Sequence, residues 1–170
     1  LLFVLSVILS GVMATPAPAQ IRSYQNYTVR VPSNLSITAP VDVVMMHDQT
    51  DAIQNFPAQR WRVMGNSMRG VTVAFSTVSP FVHTINPDYQ RDVQLGLVVM
   101  NSVGPSQWVL TQASDATNYS RGDPIAVVSA RSNGSASATF ELFVSFVTGT
   151  YGSVPSGEYR TTVVGTITAN

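Results

Sequence analysis

The chain predicts an all-β protein, an antiparallel β-sandwich, and three observations carry that prediction. Apolar residues recur at period two in many short runs. Gly, Pro and Asn clusters interrupt the chain roughly every eight to twelve residues. No segment after residue 19 carries an apolar stripe at the helical period. Period-two alternation buries one face of a strand and leaves the other to solvent. About nine or ten such strands suit two packed sheets, and Pro32, Pro40 and Pro80 suit edge strands and corners.

Taken in order, the chain opens L-L-F-V-L-S-V-I-L-S-G-V-M-A and continues T-P-A-P-A-Q. An uncharged apolar run followed by Ala17-Pro18-Ala19 matches the core and cleavage site of a signal peptide. The run is shorter than the roughly 20 apolar residues of a membrane span. Cleavage is expected after Ala19, leaving residues 20–170 as a single domain; the alternative is a permanent N-terminal anchor. The chain starts without Met or a basic stretch, so a truncated start is expected.

Tyr27–Val31 alternates, with Tyr27, Val29 and Val31 opposite Thr28 and Arg30, and stops at Pro32. Leu35–Thr38 continues that parity, Val41–Met46 is a short apolar run, and His47–Pro57 reads as a polar loop. Arg60–Met64 turns Trp61 and Val63 inward, and Val71–Thr77 turns in Val71, Val73 and Phe75. Phe81–Ile85 is a weaker strand with His83 expected on its polar face. Val93–Val99, Gln107–Thr111 and Ile125–Ala130 complete the middle of the chain, with Ser114–Pro124 a polar loop. Thr139–Val147 places Phe140, Leu142, Val144 and Phe146 on one face, and Glu158–Thr168 does so with Tyr159, Val163 and Ile167. The Gly/Pro-rich run between them predicts a long antiparallel hairpin. Its outer face carries Phe143, Val147 and Val164 among threonines, more apolar than a freely solvated face requires.

Composition narrows function. Nine arginines, no lysine and nine acidic residues give zero formal charge, which offers no electrostatic footprint for nucleic acid or an anionic membrane. Cysteine is absent, so neither disulfides nor thiol chemistry are available. His47 and His83 are the two imidazoles, and neither has a third ligand at metal-site spacing. Asp48 and Asp51 lack the dense pattern of a calcium loop. No nucleophile elbow, zincin helix or phosphate-cradling loop occurs. Glu141 and Glu158 sit at polar strand positions, where edge protection accounts for them. No enzyme, cofactor or metal is expected.

Two loop features stay open. Tyr119 and Tyr151 are candidates for stacking on a glycan, whereas Trp61 and Trp108 share the apolar parity of their strands and are expected in the core. Arg121-Gly122-Asp123 spells an adhesion tripeptide in an exposed-looking loop, a match short enough to arise by chance. Asn26, Asn34, Asn118 and Asn133 head glycosylation sequons that matter only in a glycosylating host.

The ending P-S-G-E-Y-R-T-T-V-V-G-T-I-T-A-N, with Gly157 before alternating Tyr159, Val163 and Ile167, resembles that of secreted pilin-like sandwiches. Spore-coat-protein-U-like proteins and fimbrial subunits are the families meant. The chain departs from them in having Ala169 where an aromatic is usual and in lacking a cysteine pair. The resemblance implies an immunoglobulin-like or pilin-like β-sandwich at the bacterial cell surface. It also implies that Tyr27, Val29 and Val31 serve as a strand given to a neighbouring subunit. A secreted structural or adhesive subunit is therefore expected, working by self-association or with another surface protein. A glycan-binding module is the alternative.

Overall fold

The computed structural model describes residues 21–170; positions 1–20, on which the signal-peptide expectation falls, lie outside the described residues. The chain divides into two units, Leu1–Val31 and Pro32–Asn170. In the first, residues 21–31 form no strand, and Tyr27, Val29 and Val31 are 84%, 86% and 79% exposed. The strand expected at Tyr27–Val31 is thus not formed among the described residues. Its alternation is real, but a strand exists only when its backbone finds a partner, and none pairs with it.

The second unit is all-β. Its strands are β1 (Leu35–Thr38), β2 (Gln54–Asn55), β3 (Gln59–Gly65), β4 (Val71–Thr77), β5 (Phe81–His83), β6 (Gln90–Arg91) and β7 (Val93–Val103). There follow β8 (Trp108–Gln112), β9 (Ser114–Ala116), β10 (Val127–Ser132), β11 (Ala136–Phe146), β12 (Tyr159–Arg160) and β13 (Val163–Ala169). All pairings are antiparallel and make three sheets. A six-stranded sheet runs β1-β3-β11-β7-β9, with β2 alongside β11 beyond the end of β3. A four-stranded sheet runs β13-β4-β10-β8, and a three-stranded sheet runs β12-β5-β6. Among the described residues, β5 and β6 are the only consecutive strands that also pair with each other.

The long hairpin expected at the end of the chain does not form. β11 is already paired along both edges, by β7 on one side and by β3 and β2 on the other. The Gly/Pro-rich connection instead carries the chain out of that sheet, through β12 on β5, to β13 on β4. What reads as a turn is a crossing between sheets, and the phase of each strand is unaffected by it.

The inward residues are those the alternation selects. Val71, Val73 and Phe75 of β4 are fully buried, as are Val93, Val128 and Phe140. Aromatic edges join the two larger sheets: Trp61 meets Phe75 at 5.1 Å, Phe75 meets Phe140 at 6.0 Å, and Phe140 meets Trp108 at 5.2 Å. Such pairs contribute about 0.5–1.5 kcal/mol each beyond the area they bury. A second cluster ties in the three-stranded sheet, with Phe146 against Phe81 and Tyr159 at 5.1 and 5.6 Å.

His83 departs from its expected polar face and is 7% exposed. It shares the parity of Phe81, so the fold turns both inward. Its Nδ1 accepts the amides of Ile85 and Asn86, and Nε2 donates to the carbonyl of Ser156. A buried imidazole is tolerated because both nitrogens are satisfied.

Candidate functional site

Tyr27, Val29 and Val31 are expected to meet, in a neighbouring subunit, a hairpin face carrying Phe143, Val147 and Val164. Phe143 points out of the six-stranded sheet, across Gly96 of β7, at 41% exposure. Val164 points out of the four-stranded sheet at 44% exposure. Val147 lies beyond β11, half-buried, its amide bonded to the carbonyl of Asp92. The three were expected to share a hairpin face; because β11 and β13 belong to different sheets, they do not. Tyr27, Val29 and Val31 belong to the other unit. What remains is an edge: β13 pairs with β4 over Val163–Ala169 and, among the described residues, with no strand on its other side. Its Val163 and Ile167 pack against the core, and Gly165 lets the strand lie close over Trp61 and Ile37.

The candidate glycan tyrosines differ in environment. Tyr119 begins a single helical turn, Tyr119–Arg121, and is 39% exposed. Its amide and the hydroxyl of Thr117 both bond Oδ1 of Asp92, at 2.9 and 2.8 Å, which fixes this loop to the start of β7. Tyr151 is half-buried and stacked on His47 at 5.1 Å and 27°, so one face of its ring is already occupied. The Arg121-Gly122-Asp123 tip is exposed, closed by paired backbone bonds between Asn118 and Asp123, with Gly122 at φ 77°. Glu141 pairs with Arg60 across β11 and β3 at 3.2 Å, and Glu158 with Arg160 at 2.6 Å.

The densest polar arrangement was hidden in what the sequence presents as a loop, His47–Pro57. The hydroxyl of Thr148, 1% exposed, donates to the carbonyl of Ala52 at 2.7 Å and meets Nε2 of His47 at 2.9 Å. Since the hydroxyl proton is given to Ala52, His47 is the donor, and its Nδ1 accepts the amide of Gln49 at 2.9 Å. Gln54, 6% exposed, donates its amide nitrogen to the same Ala52 carbonyl at 2.9 Å and to Oδ1 of Asp48 at 2.7 Å. Its amide oxygen accepts the backbone N–H of Asp48 at 3.3 Å. Asp48 Oδ1 lies 3.8 Å from His47 Nδ1. Hydrogen bonds from the hydroxyl and amide of Thr50 hold the Asp48 carboxyl below its ordinary value. Phe146 meets the His47 ring edge-on at 5.7 Å.

The topology brings these groups together. Phe146 of β11 pairs with Gln54 of β2, so Thr148, two residues on, extends the same row. The available sequence signal was the concentration of His, Asp, Thr and Gln in M-H-D-Q-T-D-A-I-Q; its partner Thr148 is distant in sequence and carried none. Among the described residues, no three His, Cys, Asp or Glu side chains gather as metal ligands would, and no helix is long and apolar enough to cross a membrane. Comparison with family models, curated proteins and solved structures finds no match.

Proposed function

We propose that the chain is a structural or adhesive subunit of the bacterial cell surface, exported by a cleaved signal peptide and built on a pilin-like β-sandwich. The observation that carries this reading is an edge and a strand-former, each without a pairing strand among the described residues. β13 offers a seven-residue backbone ladder paired on one side, and Tyr27–Val31 offers alternating apolar side chains on exposed, unpaired backbone. Proteins usually blunt such edges, and an added strand satisfies their backbone groups while seating alternate side chains. Subunits join when Tyr27, Val29 and Val31 of one copy pair with β13 of the next. A glycan-binding module is the second reading, but with Tyr151 stacked on His47 it rests on Tyr119 alone.

Light scattering and electron microscopy of secreted protein test the proposal. Wild-type protein should form oligomers or filaments, and Val29→Asp should leave a folded monomer, since the charge cannot be desolvated at a strand–strand contact. Unchanged assembly of Val29→Asp would show that other surfaces join the subunits.

A further inference from the structure

A buried hydroxyl held against an imidazole is the arrangement of an activated nucleophile, in which a third group orients the base. Thr148, His47 and Asp48 stand in that order, at 2.9 and 3.8 Å. The hydroxyl here accepts from His47, so the three become nucleophile, base and orienting group in the other imidazole tautomer, with the gap to Asp48 closed to hydrogen-bond length. Thr148 is closed to solvent, so no substrate from solution can reach it. A side-chain acyl group beside it is the carboxamide of Gln54, which donates to the same Ala52 carbonyl as Thr148 does. The carboxamide oxygen accepts the Asp48 amide, which polarises the carbonyl, and its nitrogen donates to the Asp48 carboxylate, a bond that must open before the nitrogen is protonated and leaves.

We propose that this cluster joins Thr148 to Gln54 by an intramolecular ester, an autocatalytic staple between the strand β2 and the segment that follows β11. The Oγ1 of Thr148 attacks Cδ of Gln54, and its proton passes to Nε2 of His47. For this the ring proton must sit on Nδ1, directed at Asp48 Oδ1 in place of the Gln49 N–H. Charge developing on the Gln54 amide oxygen is met by the backbone N–H of Asp48. As the Cδ–Nε2 bond breaks, His47 returns the proton to the departing nitrogen. Thr–OH and Gln–CONH₂ become an ester and ammonia, with no oxidant, metal or other reactant. Release of ammonia draws the reaction forward, and the burial of Thr148 and Gln54 keeps water from the ester.

Intact mass and a peptide map of the folded full chain, held at neutral pH, test the proposal. Wild-type protein should be lighter by one ammonia, with a peptide containing Gln54 linked to one containing Thr148. Hydroxylamine should cleave that link. Thr148→Val and Gln54→Ala should keep full mass, and Thr148→Ser should still form the link. His47→Ala should form it at least tenfold more slowly, with the rate partly restored by added imidazole, which a purely structural role for His47 would not permit. Wild-type protein of full mass overturns the proposal. So does ammonia loss mapped to another glutamine, or conversion of Gln54 to glutamate without a link.

Discussion

The imidazole of His83 lies directly over the Cα of Gly157, so closely that a Cβ at that position would overlap Nε2. Gly157 also adopts φ 149°, a conformation L side chains avoid. The connection from β11 to β12 can close on the three-stranded sheet only because residue 157 has no side chain. Gly157→Ala is expected to cost about 2 kcal/mol or more, read as a fall in Tm of roughly 5 °C. Gly152→Ala, with open space around it, should leave Tm nearly unchanged. Equal Tm values for the two variants would contradict this account.

Asp92 ties the Tyr119 loop to β7 through bonds from Thr117 and the Tyr119 amide. Hydrogen bonds to a charged group contribute about 1.5–3 kcal/mol. Asp92→Ala should lower stability by about 2 kcal/mol and speed amide exchange across residues 114–123. Exchange spread evenly over the chain would argue that Asp92 acts through the core instead.

The Arg60–Glu141 pair spans two strands, but the arginine side chain is 69% exposed. Solvent screening discounts such pairs. Arg60→Ala should therefore cost less than about 1 kcal/mol in chemical denaturation. A larger loss would mean that its aliphatic stem, and not its charge, covers the sheet.

Asp48 should make the His47–Gln54 segment sensitive to acid. Its folded carboxyl titrates below the ordinary 3.8, first because of the Thr50 hydrogen bonds. A depressed carboxyl contributes stability above its unfolded pKa and loses it as pH falls through the folded value. Protection of the Gln49, Thr50 and Ala52 amides from exchange, corrected for the intrinsic rate, should fall below about pH 4, and the fall should be smaller in Thr50→Val, which removes the hydroxyl bond and keeps the amide bond. Acid loosening that is undiminished in that variant would assign the effect to another group.

Strand phase was legible in most of the longer strands because alternation is a local property. Trp61, Val73, Phe140, Val163 and Ile167 all fall on the faces their parity dictates. Pairing was not legible, because it depends on which edges are already filled. Nothing in G-T-Y-G-S-V-P-S-G distinguishes a turn within one sheet from a passage to another. His83 was misplaced because polarity was weighed above position: it sits two residues from buried Phe81. The Thr148 cluster escaped notice for a different reason. Threonine at the end of a strand is commonplace, and its burial depends on β2, a strand of two residues too short to show any period.

Because β5 and β6 are, among the described residues, the only consecutive strands that pair, residues 21–170 offer almost no local nucleus from which the sheets can grow. β4 must find β10 and β13, and β3 must find β11, across long intervening stretches. Loop closure of that kind must precede any gain from the contacts, and folds dominated by distant pairings fold in roughly milliseconds to seconds. Until β13 arrives, β4 exposes an apolar, unpaired flank to other chains. The interval between synthesis and closure is therefore when this protein is most open to wrong pairing, and refolding yield should fall steeply as concentration rises.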